Sequence, residues 1–135
     1  MKARILLAVA VGGALGACLR HLLNLEVPDR PDAFPWTTFG INVVGCFLLA
    51  LLPASAAVRR NPLLPPLLGT GALGGFTTLS AYSDQTRALQ AGGHTVLAGL
   101  YLLGTFTVCL AAVAAADRLS TAAARREFDA EEGDL

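Results

Sequence analysis

Charge is what this sequence has least of. Only 15% of its 135 residues are Asp, Glu, Lys or Arg, against about a quarter in soluble domains. Residues 33–58, 61–83 and 88–116 contain none at all, in runs of 26, 23 and 29 residues. About 20 predominantly apolar residues suffice to cross a bilayer as a helix. The chain therefore reads as an integral membrane protein, and a soluble enzyme is set aside. A basic excess is missing too. Ten basic residues balance ten acidic ones, so there is no basic face of the kind a nucleic-acid partner requires. No carboxylate lies deep in an apolar run, and Glu26 falls beyond the end of the first one. Proton-coupled exporters need such an intramembrane acid, so a small exporter of that type is the weaker alternative. No catalytic constellation is visible, which points away from an enzyme. His21 and His94 sit near span ends and read as wet interface residues. Cys18, Cys46 and Cys109 all fall in apolar segments without metal or disulfide spacing. They are expected to act as small packing residues.

What is present organises into four expected transmembrane helices, at about 5–25, 36–58, 63–83 and 95–116, within a membrane domain over 1–117. The first could be taken for a signal peptide, with its basic start and small residues, but Leu22 and Leu23 resume the apolar pattern after Arg20. Small residues at 12, 13, 16 and 17 give this helix a close-packing face. The acidic, Pro-containing segment 26–32 is an external loop. Pro35 and Trp36 open the second span, as suits a first helical turn and a membrane interface. The third span holds four glycines between Gly69 and Gly75. Glycines are poor helix formers, so a broken helix is expected near Gly74–Thr78; an intact helix with a glycine packing face is the alternative. Backbone groups freed at that depth need protein, water or an ion as partner. Residues 118–135 form a polar tail, expected to extend the last helix and fray into the acidic end at 131–134.

Four spans put both termini on one side. Seven basic residues lie there (Lys2, Arg4, Arg59, Arg60, Arg118, Arg125, Arg126) and three on the other (Arg20, Arg30, Arg87). The positive-inside rule then makes both termini cytoplasmic. The interior offers neutral donors: Asn42, then Thr77, Thr78 and Ser80 after the glycines, then Tyr101, Thr105 and Cys109 at i, i+4 and i+8 on one helical face. A single interhelical hydrogen bond contributes only about 0.6 kcal/mol in membranes, but a stripe of donors facing a helix break suits a small anion. Such an anion must bind moderately enough to leave again. Arg20 could draw anions into a vestibule or snorkel to the interface.

These segments resemble the CrcB/Fluc fluoride channel family across all four spans. Residues 12–20, Gly-Gly-Ala-Leu-Gly-Ala-Cys-Leu-Arg, look like the family's glycine-rich first helix. Residues 38–47, Thr-Phe-Gly-Ile-Asn-Val-Val-Gly-Cys-Phe, look like its second-helix motif with a pore asparagine, here Asn42. Residues 71–80 look like its broken third helix. The resemblance implies an antiparallel dimer of four-helix subunits in the bacterial inner membrane, with two narrow fluoride pores. It also implies a structural Na⁺ at the dimer centre, held by the carbonyls of Gly74 and Thr77. The implied fluoride pathway comprises Arg20, Asn42, Phe76, Thr78, Leu79, Ser80, Tyr82, Tyr101, Thr105 and Cys109. Two departures stand out. Cys109 occupies a position where serine is common, and a thiol is the weaker donor. The family's phenylalanine pair, whose ring edges carry partial positive charge, is replaced by Leu79 and Tyr82. With the seven-to-three charge bias, this also fits an orientation-fixed partner subunit of a heterodimeric channel, conducting poorly alone.

Overall fold

The computed structural model describes residues 2–133, with side chains to residue 122. Among them every regular element is helical. Helix α1 is Lys2–Glu26 and ends two residues before Pro28, in keeping with the restriction proline places on its predecessor. Helix α2 is Trp36–Leu51. Its open first turn is satisfied from a distance. The Asp29 carboxylate accepts from Thr37 N–H at 2.8 Å, Thr38 N–H at 3.1 Å and the Thr38 hydroxyl at 2.9 Å. A carboxylate suits the positive end of a helix dipole.

The second span stops short of its expected end at 58. Pro53 lacks an N–H, so α2 tightens into a 3₁₀ turn, Leu52–Ala54, and Ser55 is extended. A short α3, Ala56–Arg60, follows. From it Arg59 reaches back to the carbonyls of Pro53 and Ala54 at 2.8 and 2.9 Å, capping the exposed end of α2.

The third apolar run is two half-helices. Helix α4 is a wide π-helical segment, Pro65–Leu73, continued by the α-helical turn Gly74–Phe76. Thr77 (ψ 159°) and Thr78 (φ −149°, ψ 118°) are extended, and α5 resumes at Leu79–Ala91. The break is thus at the threonine pair, after the glycines. After a tight turn in which Gly93 takes φ 83°, α6 runs Thr95–Gly133. Asp134 lies outside the described residues.

Among the described residues, three segments are each long and apolar enough to cross a membrane: Lys2–Glu26, Trp36–Ala54 and Thr95–Ala122. Their outward faces stay apolar, with Leu6 at 69%, Leu103 at 66% and Val96 at 79% exposure, as lipid-facing surfaces should. The helices pair as α1 with α4, α2 with α6 and α5 with α6. The α1–α4 seam is backbone against backbone. A Cβ on Gly12 would strike the Leu67 carbonyl, one on Gly16 the Ala72 carbonyl, and one on Gly75 the Gly13 carbonyl. The expected packing face of α1 is therefore real, and the third-run glycines supply its other half. A small core, Leu89, Ala98 and Tyr101, is walled by Phe34, Phe39, Tyr82 and Leu97. It closes one end of the molecule, where Phe34 and Tyr101 meet edge to face at 5.2 Å.

Candidate functional site

Three helices converge on the break between α4 and α5. Asn42, buried on α2, treats the Thr78 peptide as a strand partner would. Its Nδ2 donates to the Thr78 carbonyl at 3.0 Å, and its Oδ1 accepts from the Thr78 N–H at 2.8 Å. One turn along, Gly45 leaves the space that the Thr77 methyl fills, for a Cβ there would collide with Thr77 Cγ2. From α1, Arg20 Nε donates to the Gly75 carbonyl at 3.2 Å. Arg20 thus serves a backbone acceptor beside the break. The Thr78 hydroxyl caps α5 by accepting from Ala81 N–H at 3.1 Å.

These redirections have a consequence for two carbonyls. In an unbroken helix Thr78 N–H would reach the Gly74 carbonyl, and Ala81 N–H the Thr77 carbonyl. Here the first goes to Asn42 and the second to the Thr78 hydroxyl. Gly74 and Thr77 therefore lose their helical donors, and these are the two carbonyls expected to serve a cation. Backbone oxygens are suitable ligands for a hard monovalent ion at an unwound helix.

Beside the break opens a cleft of about 220 Å³ between α2, α5 and α6, lined by Asn42, Cys46, Thr77, Thr78, Leu79, Tyr82, Thr105, Phe106 and Cys109. Six of the ten expected pathway residues meet here. Thr105 is 3% exposed, and its hydroxyl is buried without a hydrogen-bond partner. A buried polar atom normally finds one. Tyr82 lays its ring on the cleft while its hydroxyl donates to the Leu102 carbonyl. Leu79 stands at the rim, 76% exposed.

Four expected residues are elsewhere. Phe76 is buried on the opposite side of α2, among Leu23, Trp36 and Val44. Ser80 is exposed and shares a hydrogen bond with the Thr78 hydroxyl, at 3.2 Å. Tyr101 is fully buried, and its hydroxyl donates to Gln85 Oε1 at 2.8 Å. Gln85 in turn donates to Asp29 at 3.2 Å, so Tyr101 belongs to a polar chain that fixes the loop to α5 and α6. The stripe 101, 105, 109 does share a face, but only its lower two members reach the cleft. Cys18 is exposed on the single subunit, outside its α1–α4 seam. Cys46 and Phe106 line the cleft without being among the expected pathway residues, and Thr77, expected as an interior donor, lines it too. The spacing of Cys46, four residues after Asn42, was a usable signal. Nothing local marks Asp29 or Gln85.

The fold and the site define an all-helical integral membrane protein with a polar cleft at a helix break. Residues 7–116 match the family described as CrcB-like protein, Camphor Resistance (CrcB), and the chain belongs to that family. It is 44% identical over 127 residues to the fluoride-specific ion channel FluC 2 of Nocardia farcinica, covering 90% of this chain and 91% of that protein. It is 42% identical over 109 residues to FluC of Paracoccus denitrificans (81% and 88% covered). It is 42% identical over 127 residues to FluC 1 of Mycobacterium bovis (91% and 92% covered). Both of these also bear the name fluoride-specific ion channel.

Proposed function

We propose that this chain is a subunit of a fluoride-specific ion channel, not an enzyme, and that it exports fluoride passively and so lowers its cytoplasmic concentration. The observation that carries the reading is the Thr105 hydroxyl, buried at the cleft without a partner. A donor left unengaged behind the cleft wall can serve a dehydrated anion once the side chain turns toward the cleft, and its strength is moderate enough for release. No carboxylate, lysine or arginine lines the cleft, in keeping with passive conduction.

In this reading α4 and α5 together form the third of four crossings, both termini are cytoplasmic, and the chain sits in the bacterial inner membrane. One subunit's cleft is open along the rim marked by Leu79 and Phe106, which are 76% and 60% exposed, so a second, antiparallel subunit completes the wall. The Gly74 and Thr77 carbonyls would hold a structural Na⁺ shared with that subunit, because two oxygens supply only part of a hard cation's shell. The ion would offset the dipoles of carbonyls that lack helical donors. Asn42, Thr78, Leu79, Tyr82, Thr105 and Cys109 line the fluoride path, with Arg20, Phe76, Ser80 and Tyr101 supporting it from outside the cleft.

The charge bias favours a second arrangement, an orientation-fixed subunit paired with an oppositely inserted homologue. The test is fluoride-electrode efflux from liposomes, with this chain alone and then with a homologue of opposite charge bias. Fast efflux only with both supports the heterodimer, and fast efflux alone supports the homodimer. An absence of fluoride-selective efflux in both would overturn the channel reading.

A further inference from the structure

One turn beyond the Asn42 and Thr105 level, the cleft is walled by two thiols. Cys46 follows Asn42 by four residues on α2, and Cys109 follows Thr105 by four on α6, so each lies one turn along the same face. Both are free and half-buried, and both line the same cleft from its two facing helices, α2 and α6. No His, Asp or Glu joins them in the cleft lining, and no group of three or more such ligands exists among the described residues. The Tyr82 hydroxyl is already committed to the Leu102 carbonyl. The pair is thus two soft donors with no third.

That donor set selects its metal. Structural Zn²⁺ takes four ligands in a tetrahedron, which this wall does not supply. Thiolates prefer soft ions, and Hg²⁺ is satisfied by two sulfurs in line. Charge points the same way. Hg²⁺ and two thiols give two Hg–S bonds and release two protons to water, leaving a neutral bis-thiolate. A monovalent soft ion on two thiolates would leave a net negative charge amid apolar helices, which is unfavourable. We propose that Cys46 and Cys109 form a two-coordinate site for a soft divalent cation bridging α2 and α6, and that an occupied site plugs the cleft. The plugging half rests on the channel reading above; the metal site does not.

The test uses the purified full chain in detergent with HgCl₂ as probe. We expect one Hg²⁺ per chain to protect Cys46 and Cys109 from maleimide while leaving Cys18 reactive, with the near-ultraviolet absorbance of sulfur-to-mercury charge transfer. In competition with free cysteine, Cys46→Ser, Cys46→Ala, Cys109→Ser and Cys109→Ala should each weaken retention by roughly 100-fold, because a linked second ligand is lost. Cys18→Ser should leave it unchanged. Zn²⁺ at equal concentration should not displace Hg²⁺. Independent titration of the two thiols, or wild-type retention by a single-cysteine variant, would overturn the site. In liposomes, HgCl₂ should stop fluoride efflux by the wild type and by Cys18→Ser but leave Cys46→Ser and Cys46→Ala at the rate each shows without mercury. Efflux that persists with Hg²⁺ bound would overturn the plug alone. A wild type that carries no fluoride would overturn the channel reading and leave the binding result standing.

Discussion

The two seams of this protein are built from opposite materials. Along α1 and α4, glycines bring backbone onto backbone, and Gly12, Gly16 and Gly75 have no room for even a methyl group. Along α2, α5 and α6, side chains hold the helices apart, and a polar cleft of about 220 Å³ remains. In a bilayer, lipid removes most of the hydrophobic incentive for helices to associate, so close packing and hydrogen bonds must do it. The first seam relies on close packing, with Arg20 on α1 donating to the Gly75 carbonyl across it. The second uses polar groups, and its cleft is where one of them, Thr105, is left over. The contrast teaches that one half of the subunit is a rigid buttress, which frees the other half to remain imperfectly filled.

The comparison is broken most severely by filling the dry seam. Gly16→Ala places its Cβ against the Ala72 carbonyl and the Phe76 amide. Both are backbone atoms that cannot swing aside, so the variant is expected to lose about 3 kcal/mol, the upper range for overpacking. It should appear as a polydisperse or aggregated species on size exclusion, with a lowered melting midpoint. Gly40→Ala and Gly104→Ala have open space at the same atom and should melt like wild type. Equal tolerance at all three positions would show that the α1–α4 seam is not tight.

The next effect lies where the seams meet. Asn42→Ala orphans both the N–H and the carbonyl of Thr78, at about 1 kcal/mol for each group, the low end for an unsatisfied group, because Thr78 is only partly buried beside the cleft. The variant is expected to melt lower than wild type and to lose fluoride efflux together with the geometry of the break. Asp29→Ala should do less. It removes the acceptor from the first turn of α2 and from Gln85, and loss of a helix cap costs about 1 kcal/mol. Hydrogen exchange should quicken at Thr37 and Thr38 while the α1–α4 seam stays protected.

These outcomes track how far the sequence could be read. The helices were legible because charge-free runs of membrane length admit few other structures. The end of α2 was misjudged because the run stays uncharged past Pro53, so the proline, not charge, sets the boundary. The glycines led to the right region for the wrong reason. They form the packing face of α4, and the break is made by Thr78 pairing with Asn42, 36 residues away, and by the space over Gly45. Arg20 with Gly75 and Gln85 with Asp29 are separated by 55 and 56 residues. No local period carries such pairings. The cleft face of α6 was legible from its i, i+4 spacing, but that Tyr101 turns to Gln85 while Thr105 stays unpaired depends on those distant partners.

The smallest effect on stability is the sharpest test of the contrast. Thr105→Val exchanges a buried hydroxyl that has no partner for a methyl group of nearly the same volume. A satisfied threonine would lose a hydrogen bond, but this one has none to lose. Removing a desolvated, unpaired polar atom relieves a penalty, so the variant should melt at or slightly above the wild-type temperature, with a gain of at most about 1 kcal/mol. If the hydroxyl is held in reserve for fluoride, efflux should nonetheless fall, by about tenfold for the loss of one hydrogen bond to a charged group. Thr105→Ser keeps the donor and should keep efflux. A variant that grows more stable as it conducts less would separate the cleft from the buttress directly. If Thr105→Val is destabilised instead, the hydroxyl has a structural partner, and the leftover donor on which the conduction path depends does not exist.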